Sequence, residues 1–354
     1  MSAPKSAITA MEANARRRLR RTAWITLGFS LVAGIAYLIL LGYGPVKLSP
    51  LEVIDVLSGG GDARSIAVVW DLRLPEAVAS LIIGAALGMA GAWTQSMARN
   101  PLASPDILGV SGGAAVFVVA GTILFQPSIA AGIPDFWWKA ILASGGALTI
   151  VVVLFIIGGV GSGSRVVLVG LALSLLCQTL VHYMVAKSDL MRAAEAQMWL
   201  SGSTGFITAE ALGPLILALV PFVILGLLCH RDLRLLAHDD ATVISLGSNV
   251  RRVRIWLLIA ATGIVAVVVS VAGPIGFVAL VAPQIARLSA RAPAPEPVPA
   301  AAAGAAMLTA CNALASALPF TAPVGLLAAL IGGPILVWLV WNEAQKYRRY
   351  GNRN

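Results

Sequence analysis

Acidic side chains are scarce in this sequence: 16 Asp and Glu stand against 25 Lys and Arg in 354 residues, and charged residues make up only 12%. Hydrophobic residues make up 58%. A water-soluble domain cannot hide that much apolar surface, so the bilayer is the natural solvent. Cysteine and histidine are scarcer still, at three each. Cys177, Cys229 and Cys311 fall in apolar stretches without C-x-x-C spacing. They read as small packing residues, and no metal site is expected. A phosphate loop of the form G-x-x-x-x-G-K-[ST] is missing, so the chain is expected to bind no cofactor itself, and any ATP and Mg²⁺ would sit on a partner ATPase. No chain of carboxylates lies within the apolar stretches, which speaks against an ion-coupled secondary transporter. No converging nucleophile and base speaks for an intramembrane enzyme.

What is present is a series of apolar segments of about the ~20 residues that cross ~30 Å of hydrocarbon. Ten are legible: 23–42, 74–96, 107–125, 138–158, 166–187, 209–229, 255–272, 276–289, 298–318 and 323–341. The eighth is short and its edge blurs into the seventh, which leaves nine as the rival count. The expected organisation is a basic tail (1–22), a transmembrane domain (23–341) and a short C-terminal tail (342–354), in an all-α polytopic membrane protein. Arg16, Arg17, Arg18, Arg20 and Arg21 precede a segment of full spanning length with no cleavage site, so the first segment is expected to stay as a helix.

With both termini in the cytoplasm, all but six of the Lys and Arg residues fall inside. This positive-inside bias supports both the count and the orientation, and it accounts for the high pI through lipid headgroups and cytoplasmic partners, without nucleic acid.

Two polar stretches are patterned. Residues 188–208 predict a short interfacial helix ending at Trp199, then a Ser201-Gly202-Ser203 turn. Residues 230–254 predict a compact helix–turn element: Asp239 and Asp240 favour a helix start, Gly247 a stop, and Arg251, Arg252 and Arg254 lead into the next span. The groups 74–187 and 255–341 each follow a charged approach and each contain a Pro-rich break, a weak sign of an inverted repeat.

The breaks are the other signal. In "ARNPLASPDILGVSGGAA" (98–115), Pro101 and Pro105 force a reversal, Asp106 suits the start of the next helix, and the small residues after it permit close packing. Gly273-Pro274-Ile275-Gly276 and Gly161-Ser162-Gly163-Ser164-Arg165 are further breaks, while Gln95, Gln178, Gln284 and Asn312 are the polar residues within spans.

These residues carry a resemblance. "RLPEAVASLIIGAALGMAGAWTQSMARNPLASPDILGVSGGA" (73–114), "WLSGS" (199–203), "LGSNVRR" (246–252), "GPIGFVALVAPQIARL" (273–288) and "APVGLLAALIGGPILVWLVW" (322–341) together resemble the membrane subunits of iron–siderophore and vitamin B12 ABC importers, the FecCD family. Within it, the chain looks most like subunits of ferric-enterobactin-type importers that work as heterodimers.

The resemblance implies a type II permease with ten helices and inverted repeats in a bacterial inner membrane. It also implies a second permease subunit, two ATP-binding subunits and an extracellular or periplasmic siderophore-binding protein. The expected cargo is a ferric siderophore, with haem or vitamin B12 as the alternative. Carried onto this sequence, the coupling residues are Asp239, Asp240, Leu246, Gly247, Asn249 and Arg251. Gate and pathway candidates are Gln95, Asn100, Pro101, Asp106, Ser111, Ser162, Ser164, Gln178, Trp199, Pro274 and Gln284. Arg73 matches an arginine that docks the binding protein, whereas Glu76 stands where many members carry a second arginine. The Glu76 departure favours a heterodimer whose second subunit supplies the missing cations, while Gln284 stands where histidine is usual and keeps hydrogen bonding without titrating.

Overall fold

A computed structural model describes residues 5–44, 46–124, 132–159, 163–236, 240–320 and 322–351. Among them the chain is helical, without strands. In order the helices are α1 (Lys5–Gly42), α2 (Pro50–Leu57), α3 (Ala63–Ala67), α4 (Leu74–Ala98), α5 (Val110–Val119), α6 (Asp135–Val153), α7 (Gly163–Lys187) and α8 (Leu190–Leu200). They are followed by α9 (Ala209–Leu228), α10 (His230–Leu235), α11 (Asp240–Ser245), α12 (Val250–Ala272), α13 (Val278–Ala290), α14 (Pro297–Ala317) and α15 (Val324–Gly351).

Eight helices among the described residues are long and apolar enough to cross a bilayer, and two shorter apolar helices, Val110–Ile123 and Val278–Ala290, join them. Each of the ten expected segments is therefore helical, and the seventh and eighth are separate helices, α12 and α13. The eighth segment is short as expected. The third is shorter than its apolar run: a 3₁₀ turn at Pro105–Leu108 occupies its start, and α5 begins only at Val110. Pro105 takes the first position of that turn and Gly109 follows at φ 84°, a left-handed value that interrupts regular helix.

Local chemistry explains the other starts and stops. Ser49 and Glu52 form a reciprocal capping box on α2. A π-helical turn at Val68–Arg73 fuses α3 to α4, so the second span runs continuously from Ala63 to Ala98. The basic N-terminal tail continues the first span as helix: α1 has 38 residues, or ~57 Å at 1.5 Å per residue, far more than the bilayer core needs.

In lipid there is little hydrophobic drive between helices, so backbones that approach closely do most of the packing. α4 and α14 form the centre on this basis, with α1, α12 and α13 around them. A methyl group on Gly84 would stand 2.4 Å from the Gly304 carbonyl oxygen, and one on Gly304 would stand 2.1 Å from that of Gly84. The crossing exists because neither residue has a side chain. α7 packs at the margin, against α5 and the Pro105–Leu108 turn.

Candidate functional site

The bundle has two ends: a basic end carrying the Arg16–Arg21 tail, and a far end carrying the α1–α2 and α8–α9 connections. At the far end three of the sequence blocks meet. The Ser203 amide donates to the Ala272 carbonyl at 2.8 Å and the Gly325 amide to the Gly202 carbonyl at 3.0 Å. Gly202, at φ 69°, lies so close to the Pro274 carbonyl that a methyl group would sit 2.2 Å from it. At Gly273, φ 72°, a methyl group would stand 2.5 Å from the Trp199 carbonyl oxygen. The turn expected after Trp199 is therefore clamped between α12 and α15, with the Trp199 ring partly buried in the core. The chain continues through Pro274 to Phe277, a bulky residue held at φ 66°. Strain of this kind costs roughly 1–3 kcal/mol and persists where the surroundings enforce it.

Arg73 is 6% exposed. Its guanidinium donates to the Leu41 carbonyl at 2.7 Å and to the Val46 carbonyl, so its donors secure the end of α1. Glu76, one turn later, lines a cleft of about 940 Å³ together with Lys47, Phe206 and Asn312. Asn312 Nδ2 donates to Ser80 Oγ at 2.9 Å and Thr204 Oγ1 at 3.0 Å. Asn312 was visible in the sequence as an in-span polar residue; its network with Ser80 and Thr204 joins positions more than 100 residues apart and had no local signal.

Towards the basic end a second polar pair bridges α4 and α13. Gln284 Nε2 donates to Gln95 Oε1 at 2.6 Å, and Gln95 Nε2 donates to the Leu280 carbonyl at 2.9 Å. Both side chains are at most 3% exposed. They form one wall of a 190 Å³ pocket that Asn100 and Pro101 also line. Asn100 Oδ1 accepts from the Leu102 amide at 2.9 Å, which fixes the turn.

Six residues after Asn100, Asp106 accepts a hydrogen bond from Ser111 Oγ at 2.7 Å, while its other carboxyl oxygen is buried without a partner. Burial pushes this carboxyl up to about 6 against the pull of Ser111. Ser162 lies outside the described residues, and Ser164 falls in the first turn of α7. Gln178 projects from the exposed side of α7.

The expected helix–turn element is present at the basic end. α11 begins at Asp240, Gly247 follows at φ 85°, and Asn249 Oδ1 caps α12 by accepting from the Arg252 amide at 3.0 Å. Asp239 lies outside the described residues. Ser248 hydrogen-bonds Asp232 and closes the element onto α10. Its tip presents Ile244 at 63% and Leu246 at 60% exposure, with Arg251 exposed beside them. Arg99, the αL cap of α4, donates to the Leu236 carbonyl at 2.8 Å and ties the central helix to this element. That link was missed in the sequence because arginine at a helix end reads as a solvated charge.

The model of the FecCD transport family matches residues 31–342. The chain is 33% identical to the Escherichia coli ferric enterobactin transport system permease protein FepG, over 93% of this chain and 98% of that protein. It is 32% identical to the Yersinia pestis hemin transport system permease protein HmuU, over 91% and 97% of the two chains. It is also 32% identical to the vitamin B12 import system permease protein BtuC of Salmonella paratyphi A, over 94% and 99%. A solved structure described as an inward-facing metal-chelate type ABC transporter superposes with a TM-score of 0.75 at 26% identity, covering 90% of this chain and 99% of that one. With the fold and the converging motif blocks, these matches show that the chain belongs to the FecCD transport family, as a membrane permease subunit of a type II ABC importer whose ATP hydrolysis resides on separate subunits.

Proposed function

We propose that this chain forms half of the translocation path of a ferric-siderophore importer in a bacterial inner membrane, with both termini and the α10–α11 element in the cytoplasm. The observation that carries a shared path is the polar line on α7. Ser174, Gln178 and His182 recur at four-residue spacing, and Gln178 and His182 are exposed. Polar side chains on the exposed face of a spanning helix are costly against lipid, so this face meets a water-filled route closed by a second permease subunit.

Coupling follows from the tip of α11. Ile244 and Leu246 offer an apolar knob to an ATP-binding subunit, and Arg99 passes its displacement to α4. The differential energy for switching comes from the partner, which also holds ATP and Mg²⁺. Gln95, Gln284, Asn100, Pro101, Asp106 and Ser111 form the cytoplasmic part of the gate, together with Ser164 in the first turn of α7 and Ser162 two residues before it in sequence. Trp199 and Pro274 brace its outer part.

The siderophore reading is supported by full-length similarity to a ferric enterobactin permease, and the second permease is expected to be a different chain because Glu76 replaces a basic residue. The test is uptake by the assembled importer of a ferric catecholate, a ferric hydroxamate, haemin and cobalamin. ATP-dependent uptake of a ferric siderophore is the expected result; exclusive uptake of haemin or cobalamin would overturn the substrate, and uptake without an ATPase partner would overturn the mechanism.

A further inference from the structure

The cleft at the far end combines two features that the path itself does not require. One is a partly buried carboxylate in the cleft wall. Glu76 is partly buried on the first turn of α4, with a carboxyl oxygen so near Gly205 that a methyl group there would stand 3.3 Å from it, and Asn312 in the same cleft is fixed by the hydroxyls of Ser80 and Thr204, which are both fully buried. The nearby cation, Arg73, directs its donors to the Leu41 and Val46 carbonyls. The other feature is aromatic. Tyr43, Phe206 and Phe320 line the same cleft and are 52%, 50% and 63% exposed. A partly buried carboxylate sharing a cleft with several aromatic rings is the chemistry of organic-cation recognition: the acid supplies charge and directional acceptors, and ring faces attract the same cation through their quadrupoles.

We propose that this cleft is a receptor for an organic cation, an ammonium or guanidinium group, that engages Glu76. Its 940 Å³ accommodates such a group on a chain of several carbons. Lys47 lines the rim and is exposed, so it stands as the internal competitor for the carboxylate. The cation arrives from the outside, either on the transported chelate or as a Lys or Arg of the protein that delivers it. Only this choice of side rests on the function proposed above.

The test uses the full-length chain in lipid nanodiscs with butylguanidinium and butylurea, which match in shape and differ in charge, followed by saturation-transfer NMR. Wild type is expected to bind the guanidinium at least ~10-fold more tightly than the urea, Glu76→Gln to remove that ratio, and Lys47→Met to keep or raise it. An equal ratio in wild type and Glu76→Gln, or no ratio in wild type, overturns the proposal. Neither readout needs transport, so failure of the importer reading leaves this result interpretable.

With the assembled importer, butylguanidinium competing against docking of the substrate-binding protein assigns the cation to that protein. A preference for an ammonium-bearing ferric trihydroxamate over its N-acetylated form, lost in Glu76→Gln, assigns it to the cargo. If neither occurs, the cleft does not act in import and the proposal fails as a functional statement.

Discussion

α4 and α7 are both 25-residue helices in one bundle, yet 72% of the most apolar stretch of the Ala63–Ala98 span that α4 completes is buried, and only 22% of that of Leu168–Lys187 in α7. α4 is surrounded by its own chain and uses Gly84, Gly88 and Gly91 to admit the backbones of α14 and α13. α7 leaves leucines and a polar line uncovered. The difference separates two jobs: the centre is self-sufficient packing, while the margin is unfinished until lipid and a second subunit cover it.

The comparison is broken most severely at the α4–α14 crossing. Gly304→Val drives methyl groups into the Gly84 carbonyl, a clash that exceeds the usual 1–3 kcal/mol of overpacking, so the expected outcome is loss of the monodisperse species in size-exclusion chromatography. Gln284→Leu is milder: it orphans the buried Gln95 amide oxygen and should cost about 2 kcal/mol in a denaturant titration. Gln95→Leu combined with Gln284→Leu removes both partners and should recover part of that loss.

Asp106 gives a pH signature. Its carboxyl titrates near 6 in the fold against an ordinary value of 3.8, so the native state holds the proton over a range where the unfolded chain has released it. Stability therefore falls as pH rises between these values, by up to about 3 kcal/mol, and is flat above them. Asp106→Asn should flatten that window and be the more stable protein at pH 7, as read by thermal unfolding across pH 4–7. A wild-type curve without the decline would refute the assignment.

The smallest stability effect is expected on α7. Gln178→Leu should change the unfolding free energy little, within about 0.5 kcal/mol, because the site is exposed. ATP-driven uptake by the assembled importer should nonetheless fall several-fold. Equal uptake would mean that this face meets lipid.

Much of the fold was legible because bilayer length and apolar runs are local properties. The short interfacial helix ending near Trp199 and the α11 start and stop around Asp240 and Gly247 follow from capping and breaker chemistry within a few residues. α2 was missed although Ser49 and Glu52 have capping-box spacing, because eight residues between spans read as a loop. The full third segment looked apolar enough to span, yet the Pro105 turn consumed its start.

The candidate site was legible as blocks and illegible as a map. "WLSGS" and "GPIG" each announce a break, but only folding shows that Gly202 and Pro274 touch. Arg73 and Glu76 read in sequence as two positions of one docking surface. The π turn and the nearby end of α1 turn the arginine inward, while the glutamate faces a cleft. Such outcomes depend on contacts between distant segments, which periodicity does not encode.

The most direct test of the central claim is photo-crosslinking from position 246 in the assembled, transporting importer. The account predicts an adduct with the ATP-hydrolysing subunit, formed from the cytoplasmic side. An adduct with the external binding protein, or none at all while ATP-driven uptake continues, would contradict it.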